Sequence, residues 1–450
     1  MVYWAIGKLT FNERYSVLEE SLKNLKIASL NEMQTRAIET IYTHRNTLIL
    51  APTGSGKTLA YLLPATKIID KNKSNVQALI IVPSRELALQ IKDVHKAMGT
   101  SINMMCCYGG HSIEAEKNSF KNSPSILVGT PGRIAAHIRK AHFNFSEISV
   151  LVLDEFDKSL EFGFHEDMSF IIGNLKKLKK RICLSATPMD EIPEFVSMSD
   201  ACRIVFLNEK MQPRIIMKTV HSPSADKLDT LAKLIRYIGC QPTLIFCNHR
   251  DAVERVSRNL KIQKLDPLMY HGGMEQEDRE KSLLKFRNKS YHLLVTTDLA
   301  SRGLDIPEIQ YIIHYHLPST EASFIHRNGR TARMNATGTT YIIVSEGDQL
   351  PSYLPHALEE ECVSTDLPLP EKPEWATIEI NAGKRDKINK VDVVGFLIKK
   401  GRLQKDDLGL VEVTHRESFA AVKRSKVQRL LALVANETMK RKRVTIIMSK

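Results

Sequence analysis

The chain of 450 residues is 43% hydrophobic, enough apolar material for two or three globular cores, and no apolar run approaches the roughly eighteen residues of a membrane span. Seven cysteines without a C-x-x-C pair point to thiols in a reducing, cytoplasmic setting and away from a zinc site. The formal net charge of +13 suggests a polyanionic partner, and residues 371–450, with 19 Lys and Arg against 10 Asp and Glu, carry nine of those thirteen charges.

Residues 11–30 place Val17, Leu18, Leu22 and Leu25 at helical spacing, which predicts an amphipathic helix ahead of Gln34. The stretch from Asn46 to Ala60, NTLILAPTGSGKTLA, then reads as a buried strand, a loop containing Thr53, Gly54, Ser55 and Gly56, and a helix start at Lys57-Thr58. This is the pattern of a phosphate-binding loop. Glycines allow the backbone to approach phosphate, and the first amides of a helix attract an anion. In that pattern Lys57 reaches the β- and γ-phosphates of ATP and the Thr58 hydroxyl ligates Mg²⁺. Ala51 stands where the strict string has its first glycine.

Apolar runs at 78–82, 125–128, 150–153 and 181–184 alternate with helical stretches, so the fold class is α/β with a parallel sheet covered on both faces. Ligands of such sheets collect beyond the carboxyl ends of the strands. Asp154-Glu155-Phe156-Asp157 follows one run directly. Asp154 is expected to hold the metal, partly through water, and Glu155 to act as general base. Alone, the same string is equally an acidic helix cap; its company with the phosphate loop favours chemistry. Ser185-Ala186-Thr187 follows the next run and offers two hydroxyls to the acidic cluster.

As an ordered set these motifs resemble the DEAD-box RNA helicases of superfamily 2. Gln34 fits that family's adenine-reading glutamine, Pro83-Ser84-Arg85-Glu86-Leu87-Ala88 is similar to its PTRELA, and Gly109-Gly110 and Thr130-Pro131-Gly132-Arg133 resemble its RNA-contacting elements. Leu30-Asn31 replaces the family's Pro-Thr. Phe156 stands where the name-giving alanine would, and its ring is expected to change the packing behind the acids without removing metal or base.

After a linker at 208–213, a second α/β lobe begins near Ile215, with helices at 226–237 and 250–260 and a strand at 243–246. It has no phosphate loop. It carries instead Thr296 to Ile306, TTDLASRGLDI, and His326 to Arg333, HRNGRTAR, which resemble the family's fifth and sixth motifs. Basic residues three or four apart are also the pattern of a salt-bridged surface helix. The resemblance implies two tandem RecA-like domains, with Lys57, Asp154, Glu155, Arg330 and Arg333 catalytic, the two arginines serving as fingers on the γ-phosphate. It also implies Asp305 at the nucleotide and an RNA track of Arg85, Gly110, Thr130, Arg133, Thr297 and Arg302.

Prolines at 351, 355, 368, 370 and 373 predict a semi-rigid linker with a short helix at 352–361. Strand and helix patterns then follow as β (375–380), α (391–400), β (408–414), β (418–422), α (425–435) and β (443–448), the order of a small RRM-like α+β domain. Phe419 is the only aromatic in its third strand, so base stacking on the sheet is not expected. Gly383 to Ile388, GKRDKI, with Asp392-Val393-Val394-Gly395 and Asp407-Leu408-Gly409, resembles the C-terminal domain of DbpA-type helicases. That resemblance implies binding of structured ribosomal RNA, with Lys384, Arg385 and Lys387 in contact; a solvated basic face is the other reading. The expected division is 1–208, 214–350, a 351–373 linker and 374–450. The expected activity is an RNA-stimulated ATPase that remodels RNA duplexes in large-subunit ribosome assembly, acting as a cytoplasmic monomer. A DNA helicase or translocase and a non-enzymatic RNA-binding scaffold are the alternatives.

Overall fold

The computed structural model describes residues 19–450 except 111, 123, 190, 208–214, 302–308, 332–336, 356, 365–366, 436, 441 and 450. The chain forms two compact units that divide at residues 212 and 213. In the first, strands β1 (Asn46–Leu50), β2 (Ala78–Ile81), β3 (Met104–Cys107), β4 (Ile126–Gly129), β5 (Val150–Leu153), β6 (Lys180–Ser185) and β7 (Cys202–Val205) make one sheet in the order 3-4-2-5-6-1-7. All its pairings are parallel. The two-residue period of a strand explains why the runs read as continuously apolar. Ile49, Ile80, Val128, Val152 and Leu184 enter one core, while Leu48, Leu79, Leu127, Leu151 and Cys183 enter the other.

The predicted N-terminal helix is shorter at its carboxyl end than its periodicity suggests. Its described part runs from 19 to 24. Lys26 turns left-handed at φ 57°, and Ile27 N–H returns to Leu22 O at 2.9 Å while Lys26 N–H returns to Lys23 O at 3.0 Å, a Schellman stop. Leu22, Leu25, Ile27 and Leu30 still pack on the first core, so the apolar pattern outlasts the helix. Residues 11–18 of the prediction lie outside the described residues.

The second unit holds a parallel sheet of β8 (Ile215–Ser222), β9 (Thr243–Phe246), β10 (Leu268–Tyr270), β11 (Leu293–Thr296), β12 (Tyr311–His314), β13 (Gly338–Ser345) and β14 (Glu359–Glu360), ordered 10-11-9-12-13-8-14. Strand β14 corrects the expected helix at 352–361. Leu354 precedes Pro355, which disfavours the helical region for it. The chain then extends alongside β8, where Glu361 N–H bonds Thr219 O at 2.8 Å and Lys218 Nζ meets Glu359 and Glu361 at 3.0 Å each.

The same unit ends in an antiparallel sheet of β15 (Trp375–Ile380), β16 (Leu408–Val413), β17 (Ser418–Lys423) and β20 (Ile446–Met448), in the order 16-17-15-20, with helices at Lys390–Lys399 and Arg424–Val434. The βαββαβ order is as expected, but the last strand starts later. Lys442–Arg443 (β19) pairs instead with Thr438–Met439 (β18) in a small hairpin. One face of the larger sheet, Ala376, Ile378, Ile380, Ala420 and Val422, packs under the helices.

The other face, where an RRM-like domain would stack bases, rests on the preceding lobe. Asn288 Nδ2 donates to Thr377 Oγ1 at 3.1 Å, and Ser290 Oγ lies 2.5 Å from the same oxygen. Lys281 Nζ meets Glu379 at 3.4 Å and Glu417 at 2.9 Å, and stands 5.9 Å over the Phe419 ring. Phe419 is only 1% exposed, so base stacking there is blocked. Arg424 fastens the join by donating to Pro373 O (2.7 Å), Trp375 O (2.9 Å) and Ser290 O (3.3 Å). A hydrogen bond to a charged donor contributes about 1.5–3 kcal/mol. Arg424→Ala should therefore accelerate amide hydrogen exchange together in β15 and in residues 288–291, leaving the first unit's sheet protected. Unchanged protection in both segments would show that Arg424 does not hold the join.

Candidate nucleotide site and nucleic-acid interface

Strands β5, β6 and β1 are adjacent, so the turns leaving their carboxyl ends meet. The loop after β1 runs from Ala51 to Gly56. Gly54 and Gly56 take φ of 83° and 84°, which favours glycine at both, and a Cβ on Gly56 would lie 2.3 Å from Gln34 Nε2 and displace that side chain. Gln34 accepts Asn31 N–H at 3.0 Å and donates to Gly56 O at 3.3 Å. Asn31, one of the departures from the family string, accepts Gln34 N–H at 2.8 Å and donates to Ser55 O at 3.0 Å. It caps the helix Glu32–Thr43 in a reciprocal box and ties that cap to the phosphate loop; the N-x-x-Q spacing is the signal that could have revealed it. The helix Lys57–Ile68 has no side-chain cap, so no capping side chain satisfies the amides of its first turn, the arrangement that suits an anion. Lys57 Nζ is folded back on Ala51 O at 2.6 Å and Pro52 O at 3.1 Å, beside Thr53 and Thr58.

Beyond β5, Asp154 is buried, with Oδ2 accepting from the Tyr61 hydroxyl at 2.8 Å and Oδ1 from Glu155 N–H at 3.0 Å. Burial raises the Asp154 carboxyl above its ordinary value against the opposing pull of Lys57, Tyr61 and the Glu155 amide. Burial, reinforced by Asp154, likewise lifts the Tyr61 phenol well above its usual value. Tyr61 was missed in the sequence; lying four residues after Lys57, on the same helix face, is its one signal. Glu155 sits left-handed at φ 47° and ψ 49°, a conformation that costs a non-glycine residue about 1–3 kcal/mol. Phe156 is fully buried in the second core, as its ring required. Beyond β6, Thr187 Oγ1 donates to Asp157 Oδ2 at 2.7 Å, while Thr187 N–H bonds Ser185 Oγ at 3.0 Å, so the S-A-T string does reach the acids.

The other half of the rim belongs to β2, β4 and β3. Arg85, opening the helix Arg85–Ala97, stacks its guanidinium 4.6 Å over the Tyr108 ring. Gly110 has φ 99°, and a Cβ there would stand 3.3 Å from Arg85 Nη1. Thr130 is the N-cap residue of the helix Pro131–Arg139, whose Arg133 donates through Nε to Glu116 Oε2 at 2.6 Å. The candidate residues of the first unit thus form two neighbouring sets on one rim.

In the second unit, Thr297 follows β11, its Oγ1 3.5 Å from Leu299 N. Arg302, Asp305 and Arg333 lie outside the described residues. Arg330 is 4% exposed just past the helix Glu321–Asn328. The arginine that sequence reading passed over is Arg327, fully buried, donating to Asp298 Oδ1 (2.5 Å), His316 O (2.7 Å) and Asn248 Oδ1 (2.9 Å) and stacked at 5.1 Å on Phe246. It clamps the sixth-motif helix to the fifth-motif segment. In the terminal domain Lys384, Arg385 and Lys387 are exposed on one turn. That turn is pinned by Lys384 N–H on Thr414 O (2.9 Å) and Arg385 N–H on His415 O (3.0 Å), and Gly383 admits the Arg416 backbone, which a Cβ would meet at 2.7 Å.

The chain matches the family models DEAD/DEAH box helicase over residues 31–195, helicase conserved C-terminal domain over 226–335 and DbpA RNA binding domain over 377–447. It is 33% identical over 322 residues to the ATP-dependent RNA helicase eIF4A of Lodderomyces elongisporus, covering 70% of this chain and 81% of that protein. It is 28% identical to the ATP-dependent RNA helicase DbpA of Bacillus subtilis over 95% of this chain and 96% of the relative. Among solved structures, Saccharomyces cerevisiae Dbp5 bound to RNA and ADP BeF3 is similar at a TM-score of 0.67 and 25% identity, over 75% of this chain and 90% of that one. Among the described residues no helix is long and apolar enough to cross a membrane.

Beside the Arg327 clamp, His314 is buried with Nε2 3.1 Å from Asn328 Oδ1. Burial, with the Arg327 charge second, pushes His314 down to about 3. The folded state therefore refuses a proton that an unfolded imidazole accepts near 6.5. The resulting stability is whole above that value and is lost as pH falls below it, by about 2 kcal/mol between pH 7 and pH 5. Acid-dependent melting should be flatter for His314→Asn than for the parent over this interval; equal slopes would assign the acid sensitivity elsewhere.

Proposed function

The chain belongs to the DEAD/DEAH box helicases and is an ATP-dependent RNA helicase with a DbpA-type RNA-binding domain, and from this we propose that it is an RNA-stimulated ATPase that locally opens RNA duplexes during large-subunit ribosome assembly. The proposed division is a first RecA-like domain (1–208), a second (214–350), a connecting segment (351–373) and an RNA-binding domain (374–450). The protein acts as a cytoplasmic monomer.

In this reading Gln34 and the loop Thr53 to Thr58 hold ATP, with Asp305 contributing from the second domain. Lys57 leaves the Ala51 and Pro52 carbonyls for the phosphates. The hard oxygen donors Thr58 and Asp154 suit Mg²⁺, which would neutralise charge on the phosphates when bound. Glu155 takes the proton of the attacking water, and Arg330 and Arg333 supply positive charge for the γ-phosphate. Arg85, Gly110, Thr130, Arg133, Thr297 and Arg302 contact RNA mainly through phosphates and sugars, which makes the grip independent of sequence. The observation that carries the reading is the connection of the three turns: Tyr61 on Asp154, Lys57 on the loop carbonyls and Thr187 on Asp157. A degenerate scaffold would have no need to keep buried acids in that arrangement. The ribosomal assignment is supported by the likeness to DbpA along nearly the whole chain.

Three measurements test the proposal. Glu155→Gln should retain ATP and RNA binding while slowing hydrolysis by about 10²- to 10⁴-fold, the usual worth of a general base. Turnover at the parent rate would remove Glu155 from that role, and equal stimulation of the parent by DNA and RNA of one sequence would remove the RNA preference. Replacing Lys384, Arg385 and Lys387 together by Glu should leave kcat at saturating RNA unchanged. It should raise the half-saturating concentration of ribosomal RNA fragments and reduce the salt slope of binding by about 2, at about 0.7 per phosphate contact. Unchanged half-saturation would detach the turn, and with it the ribosomal assignment, from RNA.

A further inference from the structure

One buried carboxylate gathers the nucleic-acid half of the rim. Glu116, on the short helix Ile113–Ser119, is 4% exposed. Its Oε1 accepts Tyr108 N–H at 3.1 Å, and its Oε2 accepts Arg133 Nε at 2.6 Å and lies 2.6 Å from His137 Nε2. Tyr108 precedes Gly109-Gly110 and carries the stacked Arg85. A single side chain therefore connects, directly or through one ring, the segments that leave β2, β3 and β4.

Cys107, Glu116 and His137 also bring three potential metal ligand atoms within 4.8 Å of one another. A cation among them would face the Arg133 guanidinium at bonding distance from the same carboxylate oxygen. Burial also raises the Cys107 thiol far above its usual value, against the thiolate a metal needs. His137 Nδ1 is already 2.9 Å from His142 Nδ1. The cluster is a hydrogen-bonded hub.

We propose that Glu116 is a positioning residue for RNA: it orients Arg133 and fixes the turn from Tyr108 to Gly110, so that this half of the rim is set before RNA arrives. The inference rests on the reading of Arg133 and Gly110 as RNA contacts. A guanidinium held through Nε is fixed in its plane, and a planar fork of fixed orientation is what bidentate recognition of a phosphate needs. Ordering so flexible a side chain in advance removes an entropy cost from binding. Glu116 carries the negative charge this requires. Burial works against that charge, but the bonds from His137, Arg133 and the Tyr108 amide hold its carboxyl below the ordinary value. An amide cannot replace it, because the NH₂ end of Gln would confront either Tyr108 N–H or Arg133 Nε–H.

The test uses the full-length protein and measures kcat at saturating RNA, half-saturating RNA, KM for ATP and melting temperature. The variants are Arg133→Ala, Glu116→Gln and the double variant, with Glu116→Asp, which keeps the charge but shortens the reach, in reserve if Glu116→Gln does not fold. Arg133→Ala should raise half-saturating RNA by about 10-fold, equivalent to about 1.4 kcal/mol. Glu116→Gln should raise it by a comparable factor, with kcat and KM for ATP within about twofold, and should add less than about twofold in the Arg133→Ala background, the signature of coupled residues. If Arg133→Ala matters while Glu116→Gln lowers only the melting temperature, or if the two effects multiply, Glu116 is not a positioning residue. If Arg133→Ala has no effect on half-saturation, the RNA-contact reading fails and the inference goes with it.

Discussion

A parallel sheet buried on both faces leaves polar chemistry only its rim, because the side chains along its central strands β2, β4 and β5 alternate between one core and the other. In the first unit the strand order then decides which turns become neighbours. The turns after β1, β5 and β6 meet over the phosphate loop, and those after β2, β3 and β4 meet over Arg85, Gly110 and Arg133. Polar groups this close to two cores must find partners within the protein, which is why Asp154 is held by Tyr61, Asp157 by Thr187 and Glu116 by three donors. The two halves of the rim stand on different strands of one sheet and on the same two cores.

The arginines show how burial sorts one residue type into different roles. Arg327 has its guanidinium donors engaged by Asp298, His316 and Asn248 and its plane laid on Phe246, and it serves the frame. Arg424 is spent on three carbonyls at the join of the terminal domain. Arg133 is held through Nε by Glu116 at the rim, and Arg385 stands exposed on a pinned turn. The last two are among the residues proposed above to contact RNA.

The terminal domain uses its open sheet face as a mating surface. A face that stacks bases needs exposed aromatic rings, and here Phe419 is buried beneath Lys281. The exposed basic residues Lys384, Arg385 and Lys387 lie instead at an edge of the domain, on the turn from Gly383 to Ile388, where the backbone is fixed by neighbouring strands. The join also makes the terminal domain part of the second compact unit and not a bead on a tether. A basic surface held against the lobe it serves presents its charges in a constant orientation.

The amino-acid sequence by itself determined the elements and the motifs. Apolar periodicity located β1, β2, β5 and β9 to within a residue, because strands buried on both faces leave no freedom in composition. Glycine and charge spacing picked out the loop after β1 and the acids after β5, because a local turn depends on neighbours in the chain. What tertiary structure decided was everything that depends on partners far away in it. The proline-bearing segment at 351–373 became partly a strand once Lys218 and the edge of β8 were beside it. Arg327, Tyr61 and Glu116 gained their roles from Asp298, Asp154 and Arg133, residues 17 to 93 positions distant. A one-dimensional pattern records which groups a local turn can bring together, whereas a buried charge is defined by the donors that the fold delivers to it.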